Sequence, residues 1–259
     1  MKFFLSFYHT LRFWVVITIL SIILGITSTI LGFFDRSGNK SHKVAALWSR
    51  LICRWNGIPV KIIGIENVLT DGSQVFIANH QGYYDIFALS GYLPVQLRWV
   101  SKSSLFRIPF MGWAMTAAGY IPVKRNNRKK SYQAFLNTIE SVKAGNSIVI
   151  FPEGTRSEDG KIGPFKKGSQ LLAQRAEVPM VPVTIIGTRD IIRKGSMVIH
   201  PRTVDIIISP CVTIDSKDKK KGEEVLQAIH STINKNFLNH LKSNSAKGQK
   251  KKKDSNESS

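Results

Sequence analysis

The 259 residues include 43% hydrophobic side chains, enough to fill a core, and carry a formal charge of +20 that calls for an anionic partner. Only Cys53 and Cys211 occur, in no spacing that suits a metal or a disulfide framework, so no metal is expected to take part in the chemistry. Nucleic acid, the usual rival for a basic chain, is not expected either, because there is no recognised binding motif and the chain opens on a hydrophobic segment.

That segment, Phe13 to Phe34, holds no charged residue over about 22 positions, with Lys2 and Arg12 before it and Asp35, Arg36, Lys40 and Lys43 after it. It is long enough to cross hydrocarbon. It is too long for the apolar stretch of a signal peptide and has no convincing small-residue cleavage site, so the spacing predicts a retained membrane anchor. Gly25, Gly32 and the Thr27-Ser28-Thr29 cluster would permit a break, which leaves open a single span or a hairpin in one leaflet.

Val75 to Ala78 reads as a buried strand between turn signals, and it delivers His80 at its exit. Asp85 opens the apolar pattern Ile86-Phe87-Ala88-Leu89, which suits an N-cap or first-turn position of a helix. A strand, a Gly-containing turn and a helix fold such a carboxylate back onto the imidazole. A carboxylate on one ring nitrogen fixes the tautomer and leaves the other nitrogen to take a proton from a hydroxyl. The same residues also fit a strand-capping His and a helix-capping Asp with no chemistry.

Residues 98 to 130 hold eight basic residues and no acidic one, interleaved with Trp99, Phe106, Phe110 and Trp113, a pattern that predicts a membrane-facing surface. Within them Gly119 to Arg125 gives a turn and a short strand, followed by Arg128, Lys129 and Lys130, a cluster suited to phosphate or to a solvated face. Ser131 to Lys143 has helical spacing. Ser147 to Phe151 is a second buried strand running into Pro152-Glu153-Gly154-Thr155-Arg156-Ser157, where Arg156 is placed for an anion or for an ion pair with Glu153. Gly168 to Ala176 reads as a helix and Val178 to Ile186 as a strand. Val198-Ile199 and Val204 to Ile208 read as a hairpin or paired strands, and Glu223 to Leu241 as a helix with one apolar face. Alternating helix and strand predict an α/β fold, a sheet flanked by helices. From Ser243 the tail is polar, with Lys250 to Lys253 in a row, and is expected to be disordered.

Taken in order, these segments resemble the 1-acylglycerol-3-phosphate acyltransferase family within the wider glycerolipid acyltransferases. The match covers about residues 45 to 215. Asn79-His80 to Asp85 looks like the family's first motif, Gly119 to Arg125 the second, Phe151 to Ser157 the third, and Val181-Pro182-Val183 the fourth, a strand near the acceptor pocket. Lys102 matches a lysine common in bacterial members. Gly82 departs from the Ser usual after His-Gln, which removes a hydroxyl beside the base.

The resemblance implies the glycerolipid acyltransferase fold, with a mixed sheet, and a two-helix anchor over residues 1–55, its second helix amphipathic from His42 to Trp55 with Val44, Leu47, Trp48, Leu51 and Trp55 on one face. Ordinary packing on the catalytic domain is the alternative for that helix. The catalytic domain then covers 56–242 and the basic tail 243–259. It further implies acyl transfer from acyl-coenzyme A or acyl carrier protein, as co-substrate with no other cofactor, to the sn-2 hydroxyl of lysophosphatidic acid, giving phosphatidic acid. His80 is the implied base and Asp85 its orienting group. Arg125, Glu153 and Arg156 hold the acceptor, and Lys102 or backbone amides near Gly154 and Thr155 meet the developing oxyanion. Related acceptors such as glycerol 3-phosphate, and a non-catalytic membrane scaffold, are the alternatives. The implied location is a bacterial inner membrane, among membrane lipids, with the catalytic domain on the cytoplasmic side.

Overall fold

The computed structural model describes residues 2–124, 126–193, 195–213 and 219–257, and side chains within 4–243 of these apart from Lys219. Its strands are β1 Val60–Ile63, β2 Val75–Ala78, β3 Leu97–Lys102, β4 Ile121–Val123, β5 Ser147–Ile150, β6 Met180–Ile186 and β7 Val204–Ile208. They form one seven-stranded mixed sheet in the order β1-β7-β6-β2-β5-β3-β4. Neighbours are parallel except β6 and β7. β2 and β6 are buried at every position, the condition of parallel strands covered on both faces.

The helices are α1 Lys2–Phe34, α2 Asn39–Trp55, α3 Tyr84–Tyr92, α4 Met111–Ala117, α5 Arg128–Lys143, α6 Gly168–Ala176 and α7 Lys219–Glu257. Two clusters of buried side chains flank the sheet. Phe13 and Leu20 of α1, Ile52 and Cys53 of α2 and Tyr84, Phe87 and Leu89 of α3 meet one face. Ala134, Ile139 and Val142 of α5, Leu172 and Ala173 of α6 and Ile229 and Ile233 of α7 meet the other. The expected α/β architecture, a mixed sheet between helices, is the one observed.

Several expectations need correction. α1 starts near Lys2 rather than at Phe13, because residues 2–12 contain no Gly or Pro and continue the helical repeat. Gly25 and Gly32 do not break it. They admit α4 instead, since a Cβ at Gly25 would sit 3.0 Å from the Phe110 backbone and one at Gly32 would press into Ala117 Cβ. α2 begins three residues earlier than His42, and its buried side is Ser41, His42, Ala46, Ser49, Ile52 and Cys53, while Leu47 and Trp55 of the expected apolar face are exposed. Val198-Ile199 forms no strand. Ile199 is buried, its N–H donated to Thr10 Oγ1 at 3.2 Å, and β7 pairs with β1 and β6. The tail expected to be disordered from Ser243 continues α7 to Glu257.

Arg98 and Trp99 are buried, not part of a membrane-facing surface. The Arg98 guanidinium donates to Ser37 O and Asn39 Oδ1 in the α1–α2 connection, and the Trp99 indole N–H donates to Ser90 Oγ at 2.8 Å. Arg98 therefore pins the α1–α2 hairpin to β3.

Candidate active site

His80 follows the C-terminal end of β2, a central strand. The segment 153–156 follows β5, next to β2 on one side, and Lys102 ends β3 beyond it. Functional side chains at the carboxyl edge of parallel strands are the usual arrangement in α/β sheets. Asn79 sets the strand end: its side chain donates to Ile185 O at 2.9 Å and accepts from Ile185 N at 2.7 Å, bridging β2 to β6. Val181-Pro182-Val183 lies in the same buried strand beside β2, so it backs the His80 strand.

His80 Nδ1 lies 2.6 Å from Asp85 Oδ2. The same oxygen accepts the N–H groups of Gln81 at 2.7 Å and Gly82 at 2.9 Å, which makes it the acceptor and Nδ1–H the donor. Asp85 is fully buried in the first turn of α3. Phe151 stacks on the imidazole with centroids 4.0 Å apart and planes 12° from parallel. Nε2 is left as the ring nitrogen not engaged by Asp85, and His80 lines the central cavity.

Glu153 has a different partner from the one expected. Its Oε1 accepts the His80 N–H at 2.7 Å and its Oε2 the Gly163 N–H at 2.9 Å. Burial pushes this carboxyl above its ordinary range, opposed by those two donors. Glu153 thus holds the backbone of His80, whose carbonyl in turn accepts from Ser157 N at 2.9 Å. The Arg156 guanidinium stacks over Tyr83, 3.8 Å from the ring centre. The Gly154 N–H is donated to Phe151 O at 3.0 Å. Thr155 is exposed. Arg125 lies outside the described residues.

The Gly82 departure has a steric reason: a Cβ there would press into the Thr188 carbonyl. A Ser at this position does not fit the turn as it is built.

A cavity of about 880 Å³ opens beside His80. Leu24, Gly25, Trp48, Phe87, Met111 and Met115 are among its apolar walls, so α1, α2, α3 and α4 all roof it. Lys102, Arg156 and Lys166 also line it, and no carboxylate does among the described residues. Lys166 was not singled out from the sequence. Its ammonium lies across Gly154, 2.8 Å from where a Cβ would be, and Gly154 has a φ of +79°. The Lys166-Lys167-Gly168 run reads locally as a helix approach, and only the fold carries it back to the third motif.

The fold places the His80–Asp85 pair beside a largely apolar cavity bordered by cations. A family model described as acyltransferase matches residues 59–186. A chloroplastic 1-acyl-sn-glycerol-3-phosphate acyltransferase of Brassica napus is 40% identical over 63% of this chain and 47% of its own length. The Helicobacter pylori enzyme of the same name is 27% identical over 82% of this chain and 86% of its own. A crystal structure of a 1-acyl-sn-glycerophosphate acyltransferase from Thermotoga maritima superposes with a TM-score of 0.80, at 27% identity, over 93% of this chain and 98% of that one. The chain spans about half the length of its Brassica napus, Arabidopsis thaliana and Chlamydomonas reinhardtii relatives. Residues 59–186 thus carry an acyltransferase-family domain.

Proposed function

We propose that this protein transfers an acyl group from a thioester to the sn-2 hydroxyl of 1-acylglycerol 3-phosphate, forming phosphatidic acid for phospholipid synthesis. The observation that carries the reading is the His80–Asp85 pair at the wall of an apolar cavity, its Nδ1 held by Asp85 and Nε2 left for the substrate. Nε2 takes the hydroxyl proton as the oxygen attacks the thioester carbonyl. Asp85 stabilises the imidazolium that forms. The tetrahedral intermediate then collapses, the carbon–sulfur bond breaks, and the imidazolium returns the proton to the thiolate. The products are an ester and a free thiol, and no metal step is involved.

Arg156 and Lys166, on the cavity wall, hold the acceptor phosphate in this reading, and Lys102 meets the oxyanion. Glycerol 3-phosphate is the alternative acceptor; the apolar walls favour a substrate that already carries a chain.

The N-terminal helix is long and apolar enough to cross a membrane by length and composition. Its contacts with the catalytic domain run from Thr10 at Ile199 to Gly32 at Ala117. A helix docked over that length would carry the domain into hydrocarbon if it spanned. The reading is therefore a helix lying in one leaflet of the inner membrane, with Leu11, Ile19, Ile23, Ile30 and Phe34 on its exposed side.

The test is detergent-purified protein given lysophosphatidic acid and a long-chain acyl thioester. Phosphatidic acid should form, and glycerol 3-phosphate in its place should yield little product. Turnover of glycerol 3-phosphate alone, or thiol release without an acceptor, would contradict the assignment.

A further inference from the structure

A groove of about 1040 Å³ lies at the start of α5, lined by Asn126, Arg128, Lys129, Ser131, Tyr132 and Phe135. Ser131 and Phe135 also line the cavity beside His80, so the groove and the cavity share a wall. Tyr132, exposed, lies 24° from parallel with Phe135 at a centroid distance of 6.4 Å. Arg175 of α6 holds its guanidinium over the Phe135 ring at 5.6 Å. Arg128 and Lys129 line the groove beside Tyr132 and Phe135, Arg175 stands over Phe135 from α6, and no Asp or Glu occurs in the sequence between Asp85 and Glu140. The Asn127 side chain caps α5 by accepting from Lys130 N, and the positive end of a 16-residue helix adds to the field there.

Cations around a flat aromatic pair suit a ligand that combines phosphates with a planar ring. We propose that this groove seats the nucleotide end of an acyl-coenzyme A donor: its phosphates on Arg128, Lys129 and Arg175, its adenine on Tyr132, and its pantetheine arm passing Ser131 and Phe135 into the cavity. This rests on the acyl-transfer reading above, and it names the donor. A carrier protein is the less favoured occupant, because a stable protein interface needs about 800 Å² from each partner, more than a cation-flanked pair of rings supplies.

Direct binding of coenzyme A itself, without an acyl chain, to the full chain in neutral detergent tests the site, read by titration calorimetry. The Arg128→Glu, Lys129→Glu double variant and the Tyr132→Ala variant should each bind about tenfold more weakly or worse. Dephospho-coenzyme A should bind the wild type more weakly than coenzyme A. These positions are exposed, and unchanged melting temperatures would show that the variants fold. Equal affinity in wild type and variants, or no binding to the wild type, would overturn the site. So would loss of transfer from acyl carrier protein with coenzyme A affinity intact. Binding is read without catalysis, so weakened binding in the variants beside absent acyl transfer in the wild type would uphold the groove and contradict the acyl-transfer reading.

Discussion

One oxygen of Asp85 accepts from the His80 ring and from the main chain of Gln81 and Gly82, so a single carboxylate shapes the turn and fixes the tautomer. Asn at position 85 can accept these bonds only through its amide oxygen, and being neutral it cannot stabilise an imidazolium as the carboxylate does. Asp85→Asn should lower kcat by about two to four orders of magnitude while the KM for lysophosphatidic acid changes little. A fall in KM affinity with kcat intact would instead make Asp85 a substrate contact. The His-Asp spacing was legible because five residues of strand exit, turn and helix start admit few geometries. The role of Glu153 was not, since nothing in the third motif shows that its two oxygens face the N–H groups of His80 and Gly163. Lys166 was hidden for the same reason: it reaches Gly154 across a loop.

The α1–α2 hairpin is fixed to the sheet by polar contacts at one end of α2. The His42 ring lies among Arg98, Tyr120 and the Leu97 N–H, with Nδ1 3.0 Å from the Tyr120 hydroxyl and Nε2 accepting from Leu97 N at 3.3 Å. Nε2 must be unprotonated to accept, so the neutral ring donates from Nδ1. Burial, and then the Arg98 charge, push His42 down to about 4. Its folded pKa is depressed, so its contribution to stability is full above the ordinary value near 6.5 and is lost as pH falls from there toward 4. That contribution is about 3 kcal/mol. The melting temperature should drop across that window, and His42→Gln should flatten the drop; an equal drop in the variant would contradict the assignment. Elements with clean periodicity, β2, β5 and α6, were legible in the sequence, and α6 matches residue for residue. The Arg98 anchor was not, because a cation next to aromatics looks the same on a surface as under a helix turn. The position of β7 between β1 and β6 was also hidden, as pairing order depends on packing rather than local pattern.

Across the whole molecule, α1 turns one side to the domain core and the other outward, and the two sides do different work. Phe13 and Leu20 are buried, while Ile19 and Ile23 are 48% and 56% exposed. Ile19→Glu with Ile23→Glu should abolish co-sedimentation with anionic vesicles and leave the melting temperature within a few degrees, since surface changes away from packed contacts cost about 0.5 kcal/mol or less. Retained vesicle binding would place the membrane contact elsewhere, on the basic surfaces. The sequence predicted a helix long and apolar enough to cross a membrane; which side of that helix faces outward required the packing of Gly25 and Gly32 on α4. The measurement that bears most directly on the account is phosphatidic acid formation from lysophosphatidic acid and long-chain acyl thioester, wild type beside His80→Ala, both folded and at equal concentration. Product from the wild type and a loss of about 10²- to 10⁴-fold or more in the variant are expected. Equal rates from both proteins would contradict the assignment of His80 as the base, and with it the mechanism.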